Sequence, residues 1–582
     1  MNLKNDVRST AIILAVLAVP VILLAAILAD GYDSNATIFD VMASFLTWVE
    51  KPYMIDFKSH TPKFVMISLI LYGLCIALYY SSKENRRPGE EYGSASWGNP
   101  YKLSQTYADK NGDNVILTQN VSIGLDGRKH LHNLNILVVG GSGAGKTRFF
   151  CKPGIMSANC SYLITDPKGE LARSTGALLK EQGYEVKIFD LINPDKSDRY
   201  NPFVYVRDEK DVLKLLDNLI KNTTPKTSSS NDPFWDRAEI ALDSALMLYL
   251  LSEAPPEEQN FETMMYMIEN AAVKEDDEDY KSPLDLLFEV LEEEKPHHVA
   301  VKQYKVFKQA AGKTAKSILV TAAVRLAAFN MPQYASLTSR DELDLGSLGE
   351  KKQAIFCIIP VTDTSMNYLI GMLYTQCFQE LYYVADQKYN GRLPIPVRVI
   401  QDEWANVAQP DSYPKVLATC RSYNIGLNII VQNIASIKAL YKDEWEGIIG
   451  NCDTLLYLGG NEQGTHEYLS KMLGKETLDT RTRGVTKGRN GSSSTNYQQT
   501  GRELLTMDEV RMLDNSEALL FIRGEKPVKD KKYNILKHPN IKRTEDGGAK
   551  PYVHERKVYD YTLPDLPYEI NSIDDLEFIE VD

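Results

Sequence analysis

The chain has 582 residues, of which 43% are hydrophobic and 25% charged, and its formal net charge is −13. At about 150 residues per domain this length predicts several units, and the composition excludes a disordered protein. The negative net charge excludes a protein that binds DNA over its whole surface, so any nucleic-acid contact must be local.

Two uncharged apolar segments stand near the start of the chain, at residues 11–29 and 64–80. Each is about long enough to cross a bilayer as a helix. We favour a two-helix transmembrane hairpin over a cleaved signal peptide, because a second span follows the first. Basic residues precede the first segment and follow the second: Lys4, Arg8, Lys83, Arg86 and Arg87. The positive-inside rule then predicts a cytoplasmic location for both termini and for the rest of the chain.

A glycine-rich loop follows the first predicted strand. The apolar run NILVV at residues 135–139 leads directly into G-x-x-x-x-G-K-T. In such a loop, backbone N–H groups wrap phosphates, Lys146 neutralises the β- and γ-phosphates, and the Thr147 hydroxyl ligates Mg²⁺. The alternative is a glycine-rich turn with a chance lysine, which the preceding strand disfavours. The predicted phosphate-binding residues are Gly140, Gly141, Ser142, Gly143, Ala144, Gly145, Lys146 and Thr147.

The helix after this loop carries Pro153 and Gly154. Proline in a helix interior breaks or kinks the helix, because it removes a hydrogen bond and clashes with the preceding turn. We therefore predict that this helix is short or bent.

A phosphate-binding loop of this kind needs an acid at the end of a neighbouring strand. Two apolar runs end in acids, SYLITD and VRVIQDE. We favour the second, in which Asp402 coordinates the metal and Glu403 serves as general base for the attacking water. Asp166, in the first run, and Lys168 stay candidates for supporting contacts. The alternative is that such strand-end acids only cap loops.

A later apolar run, LNIIV at residues 427–431, ends at Gln432. Glutamine senses the γ-phosphate or orients water in other P-loop enzymes, which makes Gln432 a candidate for the same task. Without its context, Gln432 is more simply interpreted as a loop residue.

Strand-like runs alternate with helical patterns over much of the chain, at residues 135–139, 161–165, 185–189, 353–359, 397–401, 427–431, 454–458 and 518–522. This alternation predicts an α/β fold with a parallel sheet, that is, a P-loop nucleotide-binding domain of the RecA-like type. Between about 206 and 345 the strands give way to helical stretches, at residues 210–221, 233–253, 261–272, 284–293 and 299–329. We interpret this region as an inserted all-α domain.

The predicted organisation has five parts. They are a transmembrane hairpin with a short extracytoplasmic loop at 1–87, a nucleotide-binding domain in two parts at 88–205 and 346–545, the all-α domain at 206–345, and an acidic C-terminal tail at 546–582.

Two polar segments have no predicted fold. Residues 481–501 are rich in Gly and Ser and carry Arg481, Arg483, Lys487 and Arg489. A solvated linker is favoured there over a mobile basic loop that touches a polyanion. Residues 565–582 hold seven acidic residues and no Lys or Arg, which suits either a soluble end or a docking site for a basic partner.

Taken in order, the motifs resemble those of type IV secretion system coupling proteins, the TraG/TraD-type ATPases of bacterial conjugation. The resemblance extends from the first apolar segment to about residue 540, and Trp404 stands where the family usually has Phe. The matching segments are GSASWG (93–98), TDPKGEL (165–171), Phe234-Trp235, QDEWAN (401–406) and CRSYNIG (420–426), followed by Gln432 and Tyr441.

The resemblance implies a ring, with a hexamer expected, that binds ATP and Mg²⁺ between subunits. It implies that Arg421, eleven residues before Gln432, is an arginine finger for the neighbouring site. By itself Arg421 would be interpreted as a surface arginine. The implied partners are a relaxase and other relaxosome proteins, single-stranded DNA and the components of the secretion channel. Single strands are held through phosphates and base stacking, for which a local basic channel suffices.

Three other functions compete with this interpretation. An FtsK-type double-stranded DNA translocase usually has more spans and a C-terminal DNA reader, and the second cytoplasmic ATPase class of type IV secretion is not expected to begin with this hairpin. A largely non-catalytic cargo receptor is disfavoured because the chain retains the candidate residues for ATP hydrolysis, namely Lys146, Thr147, Asp402 and Glu403.

Overall fold

The computed structural model describes residues 3–32, 37–50, 57–82, 90–224, 233–272, 280–310, 312–363, 365–410, 413–485 and 493–556. The chain forms two compact units, Met1–Glu91 and Tyr92–Asp582.

The described residues of the first unit form three helices, α1 (Leu3–Asp30), α2 (Ile38–Glu50) and α3 (Thr61–Ser82). By length and composition α1 and α3 are able to cross a membrane, with mean hydropathies of 2.7 and 1.8 over their most apolar windows. Pro20 lies inside α1, a position that membrane helices tolerate. The pair fits a membrane-anchored protein. The sequence did not predict α2, whose apolar residues lie between the two long helices along the chain.

The part of the second unit that the structure describes contains thirteen strands. In chain order they are β1 (Asn114–Ile116), β2 (Ser122–Gly124), β3 (Ile136–Val139), β4 (Ser161–Pro167), β5 (Glu185–Asp190), β6 (Gln353–Ile359), β7 (Val397–Gln401), β8 (Ile425–Val431), β9 (Thr454–Tyr457), β10 (Lys475–Val485), β11 (Ser493–Glu503), β12 (Glu517–Ile522) and β13 (Val528–Lys531).

Its helices are α4 (Pro100–Tyr107), α5 (Gly127–His130), α6 (Lys152–Met156), α7 (Glu170–Glu181), α8 (Glu209–Thr223), α9 (Pro233–Glu253), α10 (Phe261–Glu269), α11 (Pro283–Glu294), α12 (Val299–Lys308), α13 (Gly312–Leu326), α14 (Pro332–Thr338), α15 (Asn367–Lys388), α16 (Tyr413–Thr419), α17 (Ile434–Tyr441), α18 (Trp445–Gly450), α19 (Gln463–Leu473) and α20 (Met507–Arg511).

Of the described strands, nine form the central sheet, in the order β13-β12-β9-β3-β8-β7-β4-β6-β5. The seven strands from β9 to β5 are parallel to their neighbours, whereas β12 and β13 join antiparallel at one edge. Every residue of β3, β6, β7, β8 and β9 is buried, as expected of parallel strands covered by helices on both faces. The predicted α/β fold is confirmed, and each predicted strand is present; β13 was not predicted.

The region between β5 and β6 is helical. Its described residues contain no strand, and α8 to α14 fill it. The helix predicted at 299–329 is wrong as a single element, because the chain divides it into α12 and α13. The hydrophobic core of these helices is continuous with one face of the sheet; Leu163 of β4 and Phe261 of α10 belong to the same buried cluster. Because this core is shared, the structure does not mark a boundary between the helical region and the sheet. The division into domains at residues 205 and 345 stays a prediction.

A long antiparallel hairpin, β10–β11, occupies much of the segment interpreted as a linker. Its pairing runs from Lys475 opposite Glu503 to Val485 opposite Ser493. The linker interpretation is wrong for these strands: the Thr residues that recur along β10 favour extended backbone. Lys487 and Arg489 lie outside the described residues, and so does the acidic stretch 565–582.

One ion pair inside the helical region allows a test of this packing. The Arg325 guanidinium makes two hydrogen bonds to the Glu239 carboxylate, of 2.6 and 3.1 Å, and the Glu239 side chain is 1% exposed. We expect Arg325→Ala to lower the free energy of unfolding by about 3–5 kcal/mol, because the carboxylate would stay buried without its partner. Urea titration followed by intrinsic fluorescence measures this change.

The matched control is Lys471→Ala, which breaks an exposed ion pair with Glu467. We expect no measurable change, since water screens exposed pairs. Equal losses in the two variants would contradict the importance of the buried pair.

Candidate functional site

The glycine-rich loop lies at the carboxyl end of β3, near the middle of the sheet. Gly143 and Gly145 have φ values of +77° and +84°, a conformation that glycine adopts without strain. A Cβ on Gly143 would meet no atom within 4 Å, so the backbone conformation and not the available space requires glycine there. The loop is therefore shaped as a cradle that is open beside Gly143. Such a cradle of N–H groups suits an anion.

The helix that follows the loop is short and irregular, as predicted. A π-helical turn at Thr147–Cys151 leads into α6, which ends at Met156. The Phe149 ring packs beneath the loop: a Cβ on Gly145 would lie 2.4 Å from its ring carbons. Single π-helical turns are frequent at functional sites.

The loop and the end of β7 meet directly. The Thr147 hydroxyl donates a 2.8 Å hydrogen bond to Asp402 Oδ2, and Asp402 is 4% exposed. Burial raises the pKa of the Asp402 carboxyl, and the Thr147 hydrogen bond acts in the opposite direction. A hydroxyl and a carboxylate in contact are the oxygen ligands that Mg²⁺ takes.

Three strand ends converge around Glu403. Its carboxylate accepts a 3.2 Å hydrogen bond from Gln432 Nε2, and Oε1 lies 3.8 Å from Lys146 Nζ. Gln432 follows β8, which lies between β3 and β7 in the sheet. The structure thus brings together Lys146, Glu403 and Gln432 from separate parts of the sequence.

The backbone holds Glu403 in an uncommon conformation. Its φ is +57°, in the left-handed region that residues with a Cβ rarely adopt. The next residue, Trp404, is fully buried and stacks on Tyr441 with ring centroids 5.6 Å apart. The buried indole fixes the turn, and the turn directs Glu403 towards the loop. Residues held in such conformations cluster at active sites.

Asp166 and Lys168 lie in different surroundings at the end of β4. The Asp166 carboxylate accepts hydrogen bonds from the N–H groups of Leu171 and Ala172, at 3.0 and 2.7 Å, and so caps α7. Burial raises the pKa of Asp166 to about 7. Lys168 is exposed at the turn after β4. The contacts of Asp166 therefore match the alternative stated above, that a strand-end acid only caps the following segment.

Arg421 lies away from this group. It stands before β8, at the amino end of a strand whose carboxyl end carries Gln432, and Nη2 donates to the Gly127 carbonyl at 3.3 Å. Asp126, beside that turn, also contacts Arg128 and Arg392. Arg421 is therefore at the opposite edge of the sheet from the loop of its own chain.

Sequence reasoning missed one residue at the loop. Lys532 is 6% exposed and its Nζ donates a 3.1 Å hydrogen bond to the Ala144 carbonyl. Lys532 follows β13, a strand that the sequence did not predict. Two consecutive lysines at the end of a short polar strand are an ordinary surface pattern, and no local signal marks one of them as buried.

The chain matches one protein family over most of its length. The model of the type IV secretory system conjugative DNA transfer family matches residues 94–557. Protein VirD4 of Rhizobium radiobacter is 23% identical over 420 residues, which cover 70% of this chain and 58% of that protein. The conjugal transfer protein TraG of Rhizobium radiobacter is 21% identical over 408 residues, covering 68% and 60%. The chain thus spans less than two thirds of the length of these relatives.

Solved structures show the same fold. The unbound bacterial conjugative coupling protein TrwBdeltaN70 superposes with a TM-score of 0.56 at 15% identity, covering 77% of this chain and 95% of that one. The plasmid coupling protein TrwB in complex with ADP and Mg²⁺ gives a TM-score of 0.55 at 15% identity, covering 78% and 96%. At these identities the likeness shows the fold.

Proposed function

The chain belongs to the type IV secretory system conjugative DNA transfer family, and from this premise we propose that it is a membrane-anchored ATPase that delivers DNA to a secretion channel. It recruits relaxase-bound single-stranded DNA and couples ATP hydrolysis to its delivery or translocation. The observation that carries the proposal is the meeting of Lys146, Thr147, Asp402 and Glu403 at the carboxyl edge of the sheet. In parallel α/β sheets ligands bind at that edge.

The residues present fit a nucleotide with Mg²⁺. The loop from Gly140 to Thr147 would hold the phosphates, with Lys146 beside them. Thr147 and Asp402 already touch each other and offer oxygen ligands to the metal. The metal would neutralise charge on the phosphates. TrwB, which shares the fold, has been solved with ADP and Mg²⁺ and with a non-hydrolysable ATP analogue, which supports this assignment.

Hydrolysis needs a base near the attacking water. Glu403 is 24% exposed at its side chain, so water reaches it, and Gln432 and Lys146 hold its carboxylate in place. In the proposal Glu403 accepts the water's proton and Gln432 helps to orient the water. The strained backbone at Glu403 keeps the carboxylate aimed at the loop.

The family match supports a proposal for the membrane anchor and the partners. We propose a multi-pass protein of the bacterial inner membrane, with α1 and α3 as spans and the nucleotide-binding part in the cytoplasm. It assembles as a ring of six, and Arg421 completes the nucleotide site of the neighbouring subunit. Its other partners are the relaxosome and components of the type IV secretion channel. The family match favours this function over an FtsK-type double-stranded DNA translocase.

The first test uses the full chain in detergent or nanodiscs. We expect ATP hydrolysis that single-stranded DNA stimulates, and a fall of about a hundredfold or more in Lys146→Ala, because a charge beside the phosphates is lost. The variant should still insert in the membrane and should not support conjugative transfer. Lys180→Ala, on an exposed face of α7, is the control and should keep wild-type hydrolysis. Near wild-type hydrolysis by Lys146→Ala would refute the site.

The second test separates binding from chemistry. Glu403→Gln keeps the size of the side chain and removes the base. We expect ATP affinity within a few-fold of wild type and hydrolysis slower by about 10²–10⁴-fold. Calorimetric titration with ATP and a phosphate-release assay measure the two quantities. Loss of ATP binding would instead assign Glu403 a structural role.

The third test concerns Arg421. Arg421→Ala should lose about 10³–10⁵-fold in hydrolysis while its own site still binds ATP. Mixed with Lys146→Ala subunits, it should recover part of the activity, because some interfaces then pair an intact Lys146 with an intact Arg421. Normal hydrolysis by Arg421→Ala alone, or the absence of recovery in rings shown to be mixed, would count against action in trans.

A further inference from the structure

A second lysine approaches the phosphate-binding loop from outside. β13 is antiparallel to β12, which is antiparallel to β9, so β13 runs in the same direction as β3. Lys532 directly follows β13 and therefore emerges at the sheet edge that carries the loop. Its backbone N–H donates to the Ser516 carbonyl at 2.8 Å, which fixes the point from which the side chain extends.

The partners of this ammonium are neutral. Nζ donates to the Ala144 carbonyl at 3.1 Å and lies 5.3 Å from the centroid of the Phe149 ring. In the described part of the chain no carboxylate oxygen lies within 4.0 Å of it. Burial lowers the pKa of Lys532, and Asp514 acts in the opposite direction. Burying a cation without a carboxylate partner costs free energy in the folded state.

The contact orients a peptide of the loop. The carbonyl of a trans peptide points away from the N–H of the following residue. Holding the Ala144 oxygen from outside therefore turns the Gly145 N–H in the opposite direction, into the cradle. The Phe149 ring, packed against Gly145, supports the same peptide from below. The positive charge also polarises this peptide, which strengthens its N–H as a donor.

We propose that Lys532 is a positioning residue for the nucleotide's phosphates, acting through the Ala144–Gly145 peptide of the loop. The inference rests on the proposed nucleotide site. It adds to that site a residue that follows β13, the outermost strand on the antiparallel side of the sheet. Lys532 thereby links the last antiparallel strand of the sheet to phosphate binding. Its positive charge adds to that of Lys146 near the loop.

The experiment compares three variants of the full chain. Lys532→Met removes the ammonium and keeps the length and apolar stem, Lys532→Arg keeps a cation, and Lys531→Met removes the exposed neighbouring lysine. The probes are ATP and inorganic tripolyphosphate, each titrated against a fluorescent ADP analogue. The nucleotide-free thermal unfolding midpoint is recorded for every variant.

We expect Lys532→Met to bind both ATP and tripolyphosphate about 10- to 100-fold more weakly, the range for a hydrogen bond to a charged group. Lys532→Arg should recover most of this loss, and Lys531→Met should bind as wild type does. The nucleotide-free midpoint of Lys532→Met should not fall, because methionine carries no charge to bury.

Two results would overturn the inference. One is wild-type affinity of Lys532→Met for tripolyphosphate. The other is a lowered nucleotide-free midpoint in Lys532→Met, which would make the lysine a structural residue. A wild-type chain that binds neither ATP nor tripolyphosphate would instead refute the nucleotide site itself, so the two failures are distinguishable.

Discussion

Parallel strands buried on both faces direct the polar chemistry of this protein to the strand ends. Neighbouring strands lie about 4.8 Å apart, so β3 and β7, with β8 between them, are separated by roughly 10 Å. That gap is narrow enough for Thr147, which ends the loop after β3, to reach Asp402, which directly follows β7. It is also wide enough for Gln432, from β8, to lie between them and touch Glu403. The geometry of the candidate site thus follows from the strand order.

The same sheet carries a buried charge that explains one glycine. Arg398 of β7 is fully buried, and Asn428 of β8 accepts its Nε and Nη2 hydrogen bonds. A Cβ on Gly154 would lie 3.1 Å from Arg398 Nη1, tighter than ordinary contact. Pro153 accounts for the shortness of the helix after the loop. The adjacent Gly154 has a different effect, because its missing side chain leaves room for the Arg398 guanidinium. The irregular helix and the interior of the sheet therefore constrain each other.

Local patterns allowed most of the fold to be predicted. Apolar β-branched runs marked the parallel strands, and the glycine spacing marked the loop, because both depend on residues close in sequence. The failures share a different cause. The strands β10 and β11 are polar and form a separate two-stranded sheet, and β13 is short and half exposed. Lys532 acquires its place only through the antiparallel edge of the sheet, which no periodicity in the sequence reveals.

The position of Arg421 supports the proposal that this residue acts on the nucleotide site of a neighbouring subunit. β8 has seven residues, and at about 3.3 Å per residue it keeps Arg421 roughly 20 Å from the loop of its own chain. Arg128 and Arg392 both pair with the Asp126 carboxylate, and Arg421 donates to the carbonyl of the next residue, Gly127, so three guanidiniums gather around one turn. In a chain of net charge −13 this is a local excess of positive charge. Like charges gathered in this way are stabilised by an anion from outside, and the phosphates at the carboxyl edge of a neighbouring subunit would supply one.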